Sequence, residues 1–422
     1  MRSENVKFIR DKVLAEIDIE RIESIMGDRA LFLKEIGKVI QKVSAANQTY
    51  LSVYELSDIA EIIADEIMGL GPMRVLMEDD DVSDILVNGP DNIFVEKFGK
   101  LEKTSQKFID NDQLTDIAKR LVIKMGRRLD DAQPLVDARL PDGSRLNVVI
   151  NPIAIDGTSI SIRKFNKSSR SLEELANMGS MSAEVAGLLA IASRCRCNIL
   201  VSGGTGSGKT TLLNALSRHI GHDERVVTLE DAAELKLQQP HVVRLETRMA
   251  GVENSGQVTM RDLVINALRM RPDRIIVGEC RGGEAFEMLQ AMNTGHDGSM
   301  TTLHANNPKD ALLRLENLVM MAGFDLPVDA IRHSIGSAVD VIVQIARLND
   351  GSRKVTKVSE ILGYEKGEIK THDVFEFRLA PERDERGKIQ GSYVCYGLAD
   401  ESAISKNALM FDIASELERV IR

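Results

Sequence analysis

The segment GGTGSGKTT, residues 203–211, is rich in glycine and ends in a lysine followed by two threonines. Glycines allow the tight, partly left-handed backbone that turns successive N–H groups inward to form a nest for an anion. The lysine adds a point charge for phosphate oxygens, and the next hydroxyl suits Mg²⁺, which prefers hard oxygen ligands. This composition and spacing match a Walker A phosphate loop. The predicted nucleotide-binding residues are Gly203, Gly204, Thr205, Gly206, Ser207, Gly208, Lys209, Thr210 and Thr211.

The residues on either side of this segment predict the elements that a phosphate loop requires. Residues 198–202 form a short apolar run typical of a buried strand, and residues 212–216 continue the loop as a helix. The N-terminus of that helix would face the anion, because its unpaired N–H groups and the helix dipole both favour negative charge. Strand and helix patterns alternate from residue 226 to residue 345, which predicts a parallel α/β sheet.

Acidic side chains follow two of the predicted strands, where the partners of a phosphate loop are expected. Glu230 and Asp231 come after the strand 226–229, and Glu279 comes after the strand 275–277. Because the carboxyl ends of parallel strands meet at one edge of a sheet, these carboxylates should lie near the phosphates. They therefore supply candidates for holding Mg²⁺ and for activating water.

The second acidic segment departs from the usual Walker B pattern, because Gly278 stands where the aspartate is expected. Glu279 is therefore the predicted general base or water-orienting residue. The predicted contacts of Mg²⁺ are Thr210, Glu230 and Asp231, either directly or through water. The alternative for Glu279 is a surface carboxylate that caps the following helix.

Two histidines, His296 and His304, flank the predicted strand 300–303. Their spacing of eight residues across a strand does not resemble a zinc pair. From spacing alone, each could be a residue of the nucleotide site or a structural side chain whose hydrogen bonds are satisfied within the fold. Both interpretations stay open at this point.

The rest of the chain divides by pattern into helical, mixed and polar segments. Three amphipathic helices are predicted before residue 69, and hairpin strands with one last helix, at 408–420, are predicted after residue 354. The small mixed domain is predicted to hold strands at 84–88, 92–96, 145–150 and 159–163 and a helix at 114–125. The predicted domains are an N-terminal helical bundle (1–69), a small α+β domain (70–165), a linker (166–171) and a phosphate-loop domain (172–422).

The composition is typical of a globular protein with two or three domains. The chain of 422 residues is 43% hydrophobic and 28% charged, with a net charge of −10. This acidic balance and the aromatic content of 4% argue against stable nucleic-acid binding, which needs basic contacts and stacking rings. The charged N-terminus does not resemble a signal peptide, and no apolar run reaches the ~18 residues of a membrane span. A cytoplasmic location without a transmembrane segment is therefore expected.

Four segments together, GGTGSGKTT, TLEDAAEL, LRMRPDRIIVGECRGGEA and NTGHDGSMTTLHAN, resemble a known set of motifs in order and spacing. They are similar to the Walker A, Asp box, atypical Walker B and His box of the type II/type IV secretion ATPase superfamily. Longer phrases such as LEDAAELKLQQPHVVRLETR resemble the CpaF/TadA branch, which powers assembly of the Tad (Flp) pilus. The resemblance runs from about residue 82 to residue 360.

This resemblance implies an α/β fold in which a RecA-like P-loop ATPase domain follows a smaller α+β, PAS-like domain and an N-terminal helical bundle. It implies an ATP hydrolase that uses ATP and Mg²⁺ and assembles as a homohexamer. It also places both histidines in the nucleotide site and implies that arginines of the small domain reach the phosphates, two of three candidates being expected to act. The implied catalytic set is Glu279, Glu230, His296, His304, Arg139, Arg145 and Arg163.

The implied function is a motor that converts ATP hydrolysis into domain motion and drives Tad pilus assembly through an inner-membrane platform protein. Such a motor would be recruited from the cytoplasm to the inner membrane, and whether it also retracts the filament stays open. The traffic ATPase of a conventional type IV pilus or of a type IV secretion system shares every nucleotide-site motif and stays an alternative. Two further classes are a RecA-like nucleic-acid translocase, which the acidic balance disfavours, and a nucleotide-binding regulator, which Glu279 disfavours.

Overall fold

The computed structural model describes residues 3–17, 28–67, 69–165, 170–248, 256–385 and 387–421. The chain forms two compact units, Met1–Asn166 and Lys167–Arg422, named here the N-terminal and the C-terminal unit. The predicted linker, 166–171, falls at this division, and its residues 166–169 lie outside the described part of the chain. Within the described ranges, no helix is both long enough and apolar enough to cross a membrane.

The N-terminal unit begins with amphipathic helices, as the sequence predicted. They are α1 (Ser3–Glu16), α2 (Arg29–Ala46) and α3 (Val53–Ile67). Asp28 caps α2, because its carboxylate accepts the N–H groups of residues 30 and 31. The apolar faces of the three helices pack into one cluster that includes Ile9, Ile36 and Ile63. Residues 18–27, which fall inside the predicted helical segment, lie outside the described residues.

An antiparallel sheet with one packed helix forms the rest of this unit. Its strand order is β3-β2-β1-β6-β5-β4. The α5 helix packs Leu114, Ile117 and Leu121 into the core of this α+β fold. The elements are a 3₁₀ turn (Gly71–Met73), α4 (Arg74–Glu78), β1 (Val82–Asn88), β2 (Ile93–Lys97), β3 (Lys100–Lys103), α5 (Asn111–Lys124), β4 (Leu135–Arg139), β5 (Arg145–Val149) and β6 (Ser159–Arg163).

The four strands and the helix predicted for this region are confirmed, but β3 and β4 were not predicted. All four residues of β3 are exposed, so its sequence, KLEK, carries no alternation of apolar and polar residues. Within β4 only Val136 is fully buried. Both strands lie at the edges of the sheet, where each pairs with one neighbour only. They are therefore less buried and lack the apolar pattern by which a buried strand is predicted from sequence.

A buried polar group joins the helical and mixed parts of the N-terminal unit. Glu66, at the end of α3, is fully buried. Its carboxylate accepts hydrogen bonds from Arg10 Nε at 2.8 Å and from Gln113 Nε2 at 2.6 Å. Burial raises the pKa of Glu66, but these hydrogen bonds outweigh that effect and lower the pKa. The carboxylate therefore stays charged and paired with Arg10 inside this unit.

The C-terminal unit is built on a sheet with a parallel core and antiparallel strands at one side. The strand order is β15-β14-β13-β12-β7-β11-β10-β8-β9. Helices from both cores of the unit pack on this sheet, and its central strands are buried at every residue. This explains their continuous apolar sequences, since a strand covered on both faces does not alternate. The observed α/β architecture is the one that the sequence predicted.

Between residues 226 and 345 the elements of this unit follow the predicted alternation with β9 added, and α6 and α7 were not predicted. They are α6 (Leu172–Asn177), α7 (Ala183–Arg194), β7 (Ile199–Gly203), α8 (Lys209–Ser217), β8 (Val226–Glu230), β9 (Val242–Glu246), α9 (Met260–Ala267), β10 (Arg274–Val277), α10 (Glu284–Asn293), β11 (Met300–Leu303), α11 (Pro308–Met320), α12 (Val328–Ala338), β12 (Val341–Arg347), β13 (Arg353–Glu365), β14 (Glu368–Arg383), β15 (Ile389–Cys395), α13 (Ala403–Met410) and α14 (Ala414–Ile421).

The end of the chain differs from the prediction of one helix over 408–420. Two helices, α13 and α14, occupy this region. Asp412 lies between them with a φ angle of 57°, which a continuous right-handed helix cannot accommodate. The break lets Ile404 and Ala408 of α13 and Leu417 of α14 all face one core.

Candidate active site

The phosphate loop turns between the end of β7 and the start of α8. Gly206 and Gly208 have φ angles of 68° and 102°, a left-handed backbone that glycine adopts without a steric penalty. A Cβ at Gly203 would clash with the carbonyl oxygen of Ile345 on β12, so a larger residue would push these paired strands apart. The loop therefore has the backbone freedom that a nest of N–H groups requires.

Lys209 folds back over the loop. Its Nζ donates to the carbonyl oxygens of Gly203 and Gly204, both at 3.0 Å. The residue is 8% exposed, and burial lowers the pKa of its ammonium group. Thr210 and Thr211 follow in the first turn of α8, where the helix dipole favours an anion. The phosphate loop thus places a buried cation and two hydroxyl residues at one helix N-terminus.

Glu279 and His304 follow the neighbouring strands β10 and β11 and contact each other. His304 Nε2 lies 2.7 Å from Glu279 Oε1, and His304 Nδ1 lies 3.4 Å from Lys209 Nζ. Partial burial, together with the nearby charge of Lys209, lowers the pKa of His304 and so favours its neutral ring. The contact with Glu279 is close but is not a hydrogen bond, because Glu279 Oε1 has no hydrogen-bond partner in the part of the chain that the structure describes. A chain of contacts therefore connects the phosphate loop to Glu279.

Arg281 extends this chain to the first acidic segment. One of its nitrogens, Nη2, lies 2.6 Å from Glu279 Oε2, and the other, Nη1, lies 2.9 Å from Asp231 Oδ2. Arg281 was not among the predicted site residues. Its position two residues after Glu279 could have indicated this role. A site with several carboxylates needs a nearby cation to balance their negative charge.

Glu230 lies deeper than the other carboxylates. It is 3% exposed, and its Oε1 accepts the N–H groups of Glu234 at 3.1 Å and Leu235 at 2.8 Å. Burial raises the pKa of Glu230 to about 7, although these hydrogen bonds act in the opposite direction. A Cβ at Gly278 would lie 3.0 Å from Glu230 Cγ. The glycine that replaces the usual Walker B aspartate therefore makes room for this side chain.

The residues predicted to contact Mg²⁺ can be compared with what the ion requires. Mg²⁺ prefers hard oxygen donors and usually keeps several waters. Thr210 offers a hydroxyl, and Asp231 offers a carboxylate whose side chain is 39% exposed. Both suit the ion by the type of their donor atoms, but Asp231 Oδ2 lies 2.9 Å from Arg281 Nη1, and its Oδ1 accepts from Thr247 Oγ1 at 3.2 Å. Glu230, whose Oε1 already accepts two N–H groups, fits a contact through water.

His296 lies at the opposite end of β11 from His304. It lies four residues before the strand, which is about 13 Å long, and His304 directly follows the strand. The backbone N–H of His296 donates to the carbonyl oxygen of Ala291, and its ring Nδ1 lies 3.3 Å from the same oxygen. The C-terminal unit thus brings His304, but not His296, to the phosphate loop. A role for His296 in the nucleotide site stays a prediction.

The predicted arginines form one row across the sheet of the N-terminal unit. Arg139 on β4 pairs with Arg145 on β5, and Arg145 pairs with Arg163 on β6. Directly paired residues project from the same face of a sheet. Arg145 and Arg163 are exposed, and Arg163 Nε donates to Asp84 Oδ1 at 3.1 Å. These three residues are named here the arginine row.

Asp84 on β1 lies directly opposite Arg163 and offsets its charge. Arg139 Nε donates to the carbonyl oxygen of Gly143 at 3.2 Å. A concentration of cations on one exposed face is the arrangement that a polyanion would stabilise.

Comparison with known proteins gives a family match over most of the chain. A family model described as type II/IV secretion system protein matches residues 66–384. A protein of Mycobacterium tuberculosis (strain H37Rv) with the provisional name of a conjugal transfer protein is 41% identical over 304 residues, which cover 71% of this chain and 86% of that protein. The type IV secretion system protein VirB11 of Bartonella quintana (strain Toulouse) is 33% identical over 343 residues, covering 73% of this chain and 95% of that protein.

A solved structure shows that the fold is shared as well. The crystal structure of the pilus retraction motor PilT with bound ADP aligns with a TM-score of 0.50 at 19% identity, covering 81% of this chain and 88% of that one. At this identity the likeness concerns the fold alone. Together with the phosphate loop and the carboxylates at the ends of β8 and β10, the family match over residues 66–384 is decisive. The chain belongs to the type II/IV secretion system family and is an ATP hydrolase of that family.

Proposed function

We propose that Glu279 is the general base of ATP hydrolysis and that His304 orients it. The observation that carries this proposal is the chain from Lys209 through His304 to Glu279, with contacts of 3.4 Å and 2.7 Å. A lysine in a phosphate loop binds the β- and γ-phosphate oxygens. A carboxylate joined to that lysine through one imidazole is therefore placed to act on water at the γ-phosphate.

In this mechanism Glu279 accepts the proton of the attacking water as the bond from water to phosphorus forms and the bond to the leaving ADP breaks. Arg281 Nη2 donates to one carboxylate oxygen of Glu279 at 2.6 Å, and the ring of His304 lies 2.7 Å from the other. These two contacts limit the orientations of the base. When bound, Mg²⁺ would neutralise charge on the phosphate oxygens, with Thr210 and Asp231 as its protein contacts.

The arginine row supplies the second part of the proposal. We infer that at least two of Arg139, Arg145 and Arg163 contact the phosphates when the N-terminal unit closes on a nucleotide. An arginine supplied in this way is worth about 10³ to 10⁵ in turnover. Hydrolysis would then depend on the relative position of the two units, and loss of the γ-phosphate would release them. This dependence is what converts ATP turnover into motion.

We propose that this motion is used by a homohexamer to drive Tad pilus assembly through inner-membrane platform proteins. The sequence similarity to the CpaF/TadA branch supports this assignment, and no stable nucleic-acid binding is expected. The protein would act from the cytoplasm and be recruited to the inner membrane.

A second candidate is the traffic ATPase of a type IV secretion system. The similarity to a conjugal transfer protein at 41% identity and to VirB11 at 33% identity favours it. Both functions use the same nucleotide chemistry, so they differ in the partner alone. Adding the cytosolic loop of a Tad platform protein should stimulate ATP turnover several-fold under the first proposal and leave it unchanged under the second.

The catalytic part is tested with Glu279→Gln. Turnover should fall by about 10² to 10⁴, the usual weight of a positioned base, while ATP binding is retained. Lys209→Ala should lose binding as well, because it removes the cation that holds the phosphates. The matched control is Glu401→Gln, a change at an exposed carboxylate just before α13. Full turnover by Glu279→Gln would show that another group activates the water.

A further inference from the structure

Two arginines lie beside the phosphate loop on the side opposite to Glu279. β12 pairs with β7 in parallel and places Ile345 next to Gly203. The strands β11 and β10, which lead to His304 and Glu279, lie on the other side of β7. Arg347 ends β12 and Arg353 begins β13, and the two are direct partners across this hairpin. The hairpin therefore presents two cations at the far side of the loop.

Both arginines touch the loop itself. Arg353 Nε donates to the carbonyl oxygen of Gly206 at 2.9 Å. A Cβ on Gly208 would lie 3.3 Å from Arg353 Cδ, and a Cβ on Gly206 would lie 3.4 Å from Arg347 Nη1. The stem of Arg353 thus packs along the loop, and the guanidinium of Arg347 lies against its left-handed turn.

The turn that carries these arginines is held by its own hydrogen bonds. Asp350 Oδ1 accepts from the N–H and the hydroxyl of Ser352, at 2.9 and 2.6 Å, and Oδ2 accepts from the Ile389 N–H at 2.8 Å. Arg383 Nη2 donates to Asn349 Oδ1 at 2.9 Å. Contacts from β14 and β15 therefore fix the hairpin, and binding groups on a fixed element lose little entropy when a ligand arrives.

The direction of the nucleotide indicates which part of it lies beside these arginines. A triphosphate whose γ-phosphate faces Glu279 and whose β-phosphate sits in the loop must extend its α-phosphate away from Glu279. The strand on that side of β7 is β12.

We propose that Arg347 binds the α-phosphate of the nucleotide and that Arg353 is a positioning residue that holds the phosphate loop at Gly206. This inference rests on the proposed function, because it takes the γ-phosphate to face Glu279. It assigns the two ends of the nucleotide to opposite sides of β7. A group that binds the α-phosphate contacts ATP and ADP alike, so it contributes to affinity and not to the chemical step.

Isothermal titration with ATP and with ADP, using the full-length protein, tests this assignment. Arg347→Ala should weaken both ligands by the same factor, roughly 10- to 100-fold for a lost charged hydrogen bond. The matched control is Arg378→Ala on β14, whose side chain contacts Tyr396. Unchanged affinity for both ligands, or a loss confined to ATP, would overturn the assignment of Arg347. Absence of nucleotide binding by the unaltered protein would instead refute the proposed function.

Hydrogen exchange tests the separate role given to Arg353. Arg353→Ala should speed amide exchange in residues 203–208 by at least tenfold in the absence of nucleotide, whereas Arg347→Ala should leave that exchange unchanged. Arg353→Lys should not restore protection, because the donated hydrogen bond comes from Nε, which lysine lacks at that position. Wild-type exchange in Arg353→Ala, or full protection in Arg353→Lys, would overturn the positioning role.

Discussion

Replacing Glu230 by glutamine should stabilise the folded protein at alkaline pH and change its stability little at acidic pH. The side chain is 3% exposed, and burial raises its pKa from 4.5 to about 7. A raised pKa means that the folded state holds this proton more tightly than the unfolded state does. The resulting stabilisation is complete below pH 4.5 and is lost as the pH rises through 7.

The size of the effect follows from the two pKa values. Each pKa unit corresponds to about 1.4 kcal/mol, so the change from 4.5 to about 7 amounts to roughly 3 kcal/mol of unfolding free energy. Glutamine keeps an oxygen that can accept the N–H groups of Glu234 and Leu235, and it carries no charge at any pH. The variant should therefore lack this part of the pH dependence.

The assay is urea denaturation of the full-length protein, followed by circular dichroism between pH 5 and pH 8. The two proteins should agree near pH 5, and Glu230→Gln should be the more stable by up to roughly 3 kcal/mol at pH 8. Glu401→Gln, at an exposed carboxylate, serves as the control. An equal difference at every pH, or a variant that is less stable at pH 8, would refute the account of Glu230 as a buried carboxyl group with a raised pKa.

Two further predictions concern packing. Glu66→Ala removes the buried carboxylate partner of Arg10 and leaves it with Asp11, whose side chain is 50% exposed. Local unfolding of α3, measured by native-state hydrogen exchange, should become easier by up to about 3 kcal/mol; exchange equal to that of the unaltered protein would contradict the pairing. Gly203→Ala should lower the urea midpoint of the full-length protein, because its Cβ would clash with the Ile345 carbonyl oxygen. Gly204→Ala is the matched control, since a Cβ there meets nothing within 4 Å, and equal midpoints for the two variants would contradict the argument.

The sequence was sufficient for the architecture because its strongest signals are those of burial. Continuous apolar runs predicted the central strands of the C-terminal unit, and three- and four-residue spacing predicted the helices. The edge strand β3 and the break at Asp412 were missed for physical reasons. An edge strand needs no buried face, and a single left-handed residue interrupts a helix without altering its apolar spacing.

The candidate site was predictable as a set of residue types but not as a set of contacts. The phosphate loop and Glu279 follow from motif and strand order. His304 reaches Glu279, whereas His296 lies at the other end of β11. This difference depends on which histidine precedes the strand and which follows it. The spacing alone did not show which of the two would belong to the site. Arg281, shortly after β10, and Arg347, at the end of β12, were not predicted. An arginine near the end of a strand usually indicates only a solvated surface.

The alignment of the three arginines could not be predicted from the sequence either. Arg139, Arg145 and Arg163 are separated by turns of unequal length, and only the register of β4, β5 and β6 brings them into one row. Register depends on the turns and on the buried faces of the strands, so residues far apart in sequence become direct neighbours. The row is the feature of the N-terminal unit that most directly suggests a role in nucleotide chemistry.

The most direct test of the central claim is the ATP turnover rate of the variant in which Arg139, Arg145 and Arg163 are all alanine. The claim is that hydrolysis in the C-terminal unit requires the arginine row of the N-terminal unit. Turnover should fall by about 10³ or more while ADP affinity is retained, and Arg128→Ala, at an exposed arginine paired with Asp130, should turn over ATP normally. Full turnover by the triple variant would contradict the claim.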